Sequence, residues 1–262
     1  MRVGLLYPGE MGAAIGAALV DPPLWASEGR SEATARRAAA FEDVGSLGDL
    51  VARSDAILSV CPPAIAETTA ERIAELGFTG LYVDANAVSP ARMKRIAARL
   101  PRLVDGSITA KSRINLYLSG DRAEVDEVRA LFTTDGDVQT ISLDGPVGAA
   151  SAIKMAFGGW NKISAALEAQ AFAIARAYGL QAELAAEGVD PGRIPRSAGR
   201  AWRWTGEMHE IGDACADLGL PEGMARGAAE LFDRWSAHRD DASVPLDRLL
   251  EELRGRSTGR SG

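Results

Sequence analysis

Near residue 145 the hydrophobic periodicity of this sequence switches, and few folds accommodate both halves. Up to about residue 143, short apolar runs alternate with amphipathic stretches, the pattern of βαβ units that build a mainly parallel sheet. Strands are predicted over 2–7, 23–27, 55–60, 80–85, 103–108, 115–120 and 138–143, with helices between them, among them 31–41, 64–77 and 89–100. In the last of these, Ser89 and Pro90 suit the N-cap and the first helical position. From Gly148 to about Tyr178 no strand signal remains, and Ala, Ile, Leu and Met recur at helical spacing. A helix of that length would span roughly 45 Å at 1.5 Å per residue, which suits a connection between domains better than a place within a small one. Beyond Gly179 the chain reads as helical, with breaks at "GVDPGRIP" and "LGLPEGM". The expected organisation is an α/β domain over 1–145, a long helix and an all-α domain over 146–255, and a frayed tail over 256–262.

Composition narrows the function classes. With 47% hydrophobic residues the chain can bury a real core, which excludes a disordered protein. The net charge of −7 argues against nucleic acid or an anionic membrane as the main partner. Cys61 and Cys215 stand far apart without metal-ligand spacing, so neither a disulfide framework nor a metal site is expected, and a reducing cytoplasm is the natural compartment. No apolar run approaches the roughly 20 residues of a membrane helix.

The predicted first strand runs into "YPGEMG". A dinucleotide-binding Rossmann domain places G-x-G-x-x-G at such a strand–helix turn. Gly9 and Gly12 occupy its second and third glycine positions, letting the backbone approach a pyrophosphate and the helix pack closely on the strand. Tyr7 stands where the first glycine belongs; Pro8 fixes its own φ and should bias Tyr7 towards extended geometry. The segment Tyr7, Pro8, Gly9, Glu10, Met11 and Gly12 is therefore assigned to the cofactor, against the alternative of an ordinary turn without a ligand.

The end of the second strand is where such a domain reads the adenosine ribose. "ASEGRSEATARRA" offers Arg30 and Ser31 in the turn and Arg36 and Arg37 along the helix after it. A guanidinium fork suits a 2′-phosphate that Glu28 would repel, so NADP(H) is preferred, with NAD(H) the alternative. At least one of Arg36 and Arg37 belongs to a solvated helix face. Cys61 and Pro62, which follow the strand over 55–60, and Asn86, which closes the next, fall at the sheet's carboxyl edge and are also assigned to the cofactor. The Cys61 thiol itself is read as packing, not as a nucleophile, and the alternative for Asn86 is a plain turn residue.

"GAASAIKMAFGGWNK" sets Lys154 among Ala, Ile, Met and Phe near the start of the long helix. A lone helical lysine ordinarily snorkels to the surface, but in an apolar cleft it becomes a general acid or base. Asn161, seven residues on, projects from the same face.

Three blocks in this order resemble the β-hydroxyacid dehydrogenases, a family that includes 6-phosphogluconate and 3-hydroxyisobutyrate dehydrogenases and has imine reductases as relatives. "VGLLYPGEMG" resembles the glycine-rich start, "VDGSITA" (104–110) the substrate-binding D-x-P-V-S-G-G segment, and "GAASAIKM" the block carrying the catalytic lysine, which maps to Lys154. "VDANAVSP", "LYLSG" and "WRWTGEMHEIGDACADLGLP" further resemble a bacterial branch with a short phosphogluconate-dehydrogenase-like C-terminal domain. The resemblance implies a nicotinamide-binding Rossmann domain, a helical domain that completes a homodimer, and a site in the cleft between them. Hydride would pass between nicotinamide and a substrate carbon while Lys154 transfers the proton.

The chain also departs from that pattern. Thr109 stands nearest the family's serine, with Ser107 two residues earlier; the paired glycines are Ala110 and Lys111; the asparagine expected four residues after the lysine is Gly158, leaving Asn161 as the substitute. Ser107, Thr109 and Asn161 are assigned to a changed substrate site, and 6-phosphogluconate is not expected to be the substrate. Trp202, Trp204, Glu207, Met208 and His209 cluster in the C-terminal region. Tryptophans two apart do not share a helix face; Trp204, Met208 and His209 are assigned to the substrate, the alternative being core packing and a dimer interface. The expected activity is an NADP(H)-linked oxidoreductase acting on a small hydroxy or oxo compound, an acid by preference. An imine reductase and a non-catalytic NADP(H) sensor are the other two readings.

Overall fold

A computed structural model describes residues 1–110, 112–134 and 136–254 of the chain. Lys111 and the tail over 256–262 lie outside the described residues. Backbone contacts divide the chain into two compact units, Met1–Met155 and the part from Ala156 onward. The division falls ten residues beyond the sequence-based boundary, inside a single long helix.

The first unit is one eight-stranded sheet with helices on both faces. In chain order it contains β1 (Val3–Leu6), α1 (Glu10–Ala17), β2 (Leu24–Trp25), α2 (Glu32–Arg37), β3 (Glu42–Asp43), α3 (Leu47–Arg53), β4 (Ala56–Ser59) and α4 (Pro63–Glu75). There follow β5 (Leu81–Asp84), α5 (Pro90–Ala97), β6 (Leu103–Ala110), β7 (Ile114–Ser119), α6 (Arg122–Arg129), β8 (Val138–Ser142) and α7 (Ala149–Tyr178). The strand order is β3-β2-β1-β4-β5-β6-β7-β8, parallel throughout except for the antiparallel β6–β7 pair. The order reverses between β1 and β4, which marks the carboxyl ends of these strands as the ligand-binding edge of such a sheet.

Alternation along the strands splits the core into two layers. Leu5, Leu58, Val83 and Val104 face Ile15 of α1 and Val125 and Val128 of α6. Leu6, Ile57, Tyr82 and Leu103 face Leu50, Ile73, Met93 and Ile96 of α3, α4 and α5. Both layers are needed because every central strand is buried on two sides, which is why these strands read as unbroken apolar runs. The helices start where local chemistry allows. Ser89 accepts the N–H of Arg92 and Pro90 opens α5, while Asp121 accepts the N–H groups of Ala123 and Glu124 to start α6.

The second unit is helical. The later part of α7 is followed by α8 (Gln181–Ala186), a 3₁₀ turn (Pro191–Arg193), α9 (Ile194–Ala198), α10 (Ala201–Asp217), α11 (Gly223–Asp233) and α12 (Leu246–Glu252). Ile211 of α10 lies beside Gly158 and Gly159 of α7, at a distance where a Cβ would make ordinary contact. Trp235 is fully buried, and its indole N–H donates to the Leu249 carbonyl at 3.0 Å. Among the described residues no helix is long and apolar enough to cross a membrane.

Candidate active site

The turn between β1 and α1 keeps the conformation of the missing glycine without the residue. Tyr7 has φ 60°, in the left-handed region, and is not extended as the following proline led us to expect. The Gly9 N–H donates back to the Tyr7 carbonyl at 2.7 Å, a three-residue turn centred on Pro8 that follows the left-handed Tyr7 and leads into α1. The left-handed backbone costs about 1 kcal/mol, and contacts to the ring offset it. The Arg30 guanidinium stacks 3.9 Å from the Tyr7 ring centroid, and the phenol reaches Thr69 Oγ1 on α4 at 3.5 Å.

The two glycines that remain answer different demands. A Cβ at Gly12 would lie 2.5 Å from the Tyr7 carbonyl, so the fold itself requires glycine there. A Cβ at Gly9 would meet nothing nearer than 4.0 Å, and the residue has φ −71°, which any amino acid adopts. The fold thus gives no reason for glycine at position 9. Gly9 is also the N-cap of α1 and supplies no side-chain cap, so a helix start is left uncovered beside an open backbone. That combination fits a pyrophosphate, and the Arg30 side chain fits its adenosine end: its Nε is buried without a partner. Ser31 caps α2 through the Thr34 N–H, whereas Arg36 pairs with Glu32 and Arg37 bonds the Ala33 carbonyl on their own helix.

At the tips of β4 and β5 the polar groups hold one another. Asn86 is buried; its Oδ1 accepts the Cys61 N–H at 2.5 Å and its Nδ2 donates to Ser59 Oγ at 3.1 Å. The Cys61 thiol is inert, its pKa pushed up to about 12 by burial and by neighbouring Asp84. Pro62 is exposed and precedes Pro63 at the start of α4.

Two buried carboxyl groups, which the sequence reading passed over, lie in register on adjacent strands, Asp84 on β5 and Asp105 on β6. Asp105 receives four donors: Ser119 Oγ, Gly148 N and Ser151 N at Oδ2, and Ser151 Oγ at Oδ1, all within 2.8–3.1 Å. Asp84 receives one at Oδ1, the Asn86 N–H at 3.0 Å, and its Oδ2 is buried without a partner. Burial, with a contribution from Asp105, lifts the Asp84 pKa to about 7. Burial also raises that of Asp105 against the pull of its donors. Two adjacent buried carboxylates cannot both ionise cheaply. The donor count places the negative charge on Asp105 and the proton on Asp84.

Further along β6, Ser107 is fully buried with an unpartnered hydroxyl and Thr109 is nearly buried. Between them the Ile108 carbonyl accepts a hydrogen bond from Lys154 Nζ at 2.6 Å. Lys154 is half-buried, and its ammonium group lies beyond the level of Asp84 and Asp105, on the carboxyl side of the sheet where the Tyr7–Gly12 turn lies.

In the helical unit Asn161 accepts from Arg193, which also pairs with Glu168. Lys162 is buried, salt-bridged to Glu207 at 2.8 Å and 5.7 Å from the Trp204 ring. A Cβ at Gly158 would lie 3.5 Å from Lys162 Nζ, so the ammonium lies against the position where the family's asparagine was expected. Trp204 packs edge-on to Phe232, Met208 is fully buried, and His209 is exposed beside Arg226.

The geometry is that of a doubly wound α/β domain with a lysine at the ligand edge of its sheet, and known proteins sharpen that class. Residues 175–235 match a family described as a domain of unknown function (DUF1932). A conserved protein of unknown function, MTH1747, reported for its structural similarity with 3-hydroxyacid dehydrogenases, is 25% identical with a TM-score of 0.66 over 91% of this chain and 98% of that one. The 3-hydroxyisobutyrate dehydrogenase of Mycobacterium tuberculosis, solved with L-serine, superposes with a TM-score of 0.71 at 18% identity over 97% of this chain and all of its own. An imine reductase variant from Myxococcus stipitatus, solved with NAD+, gives 0.51 at 22% identity over 95% and 99%. The fold is that of the 3-hydroxyacid dehydrogenases, which imine reductases share.

Proposed function

We propose that the protein is an NADP(H)-dependent oxidoreductase that interconverts a small hydroxy compound, an acid by preference, and its oxo form, with Lys154 as general acid and base. The observation that carries this reading is the placing of the Lys154 ammonium group by the Ile108 carbonyl, at the same edge of the sheet as the uncapped, open-backboned turn at Gly9.

The Gly9–Gly12 turn holds the pyrophosphate and Arg30 the 2′-phosphate. The bound nicotinamide supplies hydride transfer; the protein supplies position and proton management. Lys154 Nζ gives a proton to the forming alkoxide in reduction and takes it back in oxidation. The hydrogen bond to Ile108 fixes where the amine ends, at the carboxyl side of the sheet where the reacting oxygen would sit. Ser107 and Thr109 would border that position on β6, and Asn161, Trp204 and His209 remain candidate substrate residues from the helical unit, whereas Met208 is buried within it.

The test is a panel of hydroxy and keto acids set beside a cyclic imine, with NADPH and NADH as alternative reductants. The expected result is turnover of one of the acids, tighter binding of NADPH than NADH, and a loss of about 10²–10⁴-fold in kcat in Lys154→Ala with NADPH affinity unchanged. Unchanged turnover in that variant would overturn the mechanism. Reduction of the imine alone would move the assignment to imine reductase, and NADPH binding without any turnover would favour a sensor.

We also propose a homodimer built on α7, along which Ile153, Trp160, Leu167 and Ile174 recur every seven residues and are all exposed.

A further inference from the structure

We propose that Asp105 is the residue that positions Lys154, by clamping the first turn of α7 onto the strand that carries the lysine's hydrogen-bond partner. The proposal rests on the reading of Lys154 as the proton donor. A helix leaves its first N–H groups without intrahelical partners, and burial makes each of them costly. Here two side chains at one register position of β6 and β7 meet that demand. Asp105 Oδ2 accepts the N–H groups of Gly148 and Ser151 at 2.8 and 3.0 Å, and Ser119 Oγ accepts that of Ala150 at 2.9 Å. The Ser151 hydroxyl then donates to Asp105 Oδ1 at 2.8 Å, and Ser119 donates to Oδ2 at 3.1 Å. Gly148, at φ 107°, makes the bend that brings the chain into this cradle.

Lys154 follows Ser151 by less than one turn, and its amine ends on Ile108, three residues along β6 from Asp105. The helix is therefore tied to one strand at two points, the first set by the Asp105 carboxylate and the second by Lys154 itself. In that arrangement a shift or rotation of the first turn moves the amine directly. An ordinary helix cap would hold the helix end but leave a side chain one turn away free to adjust. The carboxylate also places its charge at the positive end of a 30-residue helix, where charge and donors reinforce each other.

The chain has only four lysines, so protein made with ¹⁵N-lysine gives a side-chain spectrum in which Lys154 is assigned by its loss in Lys154→Ala. In full-length Asp105→Asn, the donors of Gly148 and Ser151 face an amide with half the acceptor capacity. The expected result has three parts. The Lys154 signal moves while those of Lys94 and Lys162 stay, and the amides of 148–151 exchange at least ~10-fold faster. With the substrate found by the panel, kcat falls about 10–100-fold while KM and NADPH affinity hold within about twofold. If Asp105→Asn does not fold, Ser151→Ala, which removes only the bond to Oδ1, is read in the same way and should move the same signals in the same direction. An unmoved Lys154 signal beside faster exchange at 148–151 would reduce Asp105 to a structural cap and overturn the proposal. If the wild-type protein neither binds NADPH nor turns over any substrate, the oxidoreductase reading fails; the lysine signal and the exchange rates still decide whether Asp105 positions Lys154.

Discussion

Asp84 shows how a single residue can carry a pH dependence that its surroundings impose. Its carboxyl group is fully buried, has one donor at Oδ1 and none at Oδ2, and lies in register with the ionised Asp105. Its pKa stands at about 7 in the folded protein, far above that of the same group in an unfolded chain. Below the ordinary carboxylate range both states hold the proton and nothing is lost. As pH rises from there to about 7 the unfolded chain ionises first, so folding stability falls through that window. Above it the folded protein carries the buried charge, and the loss is complete. Asp84→Asn keeps the shape and removes the titration. We expect urea denaturation of the wild type to show declining stability between about pH 4 and about pH 7. The variant should have a flatter profile and an advantage of roughly 1–3 kcal/mol at the upper end. Parallel profiles for the two proteins would mean that Asp84 is ionised throughout and that the proton sits elsewhere in the pair.

Among the elements, the β1–α1 turn separates what the fold needs from what a ligand needs. Gly12 is required by the Tyr7 carbonyl 2.5 Å from where its Cβ would be, whereas Gly9 has open space around it. Gly12→Ala should therefore lower the melting temperature, at a cost on the order of 1–3 kcal/mol typical of overpacking. Gly9→Ala should leave stability within about 0.5 kcal/mol and weaken NADPH binding severalfold or more, read by thermal melting and fluorescence titration on the same samples. Equal NADPH affinity in Gly9→Ala and wild type would remove the turn from the cofactor site. The spacing of these glycines was legible in the sequence because it is local, as were the central strands, Ser89 and Pro90 at the start of α5, and the lysine near the start of α7. The left-handed Tyr7 was not, since the residue identity and Pro8 both point away from it and the stack with Arg30 comes from the next turn of the sheet. Asp105 stood within a quoted motif, yet its partners are 14 to 46 residues away, and no local pattern announces them. The two-residue strand β3, Glu42–Asp43, is exposed and charged and carries no apolar signal at all. Thr69 lies on α4 with nothing in its neighbourhood to link it to Tyr7.

At the scale of the whole molecule, the exposed stripe on α7 asks for a partner. Trp160 is 62% exposed, Leu167 66% and Ile174 58%, and with Ile153 they repeat at the heptad step that keeps one seam of a helix facing a neighbour. Tyr178 extends the same seam by one turn. Beside its end, Ala173, Ala177, Gly227 and Leu231, with Glu230 and Arg234, line a groove of about 560 Å³. Apolar side chains of this size contribute roughly 1.5–3 kcal/mol each when fully buried, so four or five in one contact can support a stable association. A second copy of the chain meets the requirement directly, because antiparallel apposition of two such helices sets each stripe against its own repeat. We expect sedimentation equilibrium to give a dimer for the wild type. The double variant Trp160→Glu, Leu167→Glu should be a monomer with an unchanged far-ultraviolet spectrum, since neither side chain is buried in the single chain. A wild-type monomer at micromolar concentration would reject the dimer, and a dimer that survives both substitutions would place its interface on another face. In the monomeric variant, NADPH affinity separates two roles for assembly. Retained affinity means that the Tyr7–Gly12 turn and Arg30 suffice to hold the cofactor within one chain, which is what the placing of all these residues in the first unit leads us to expect.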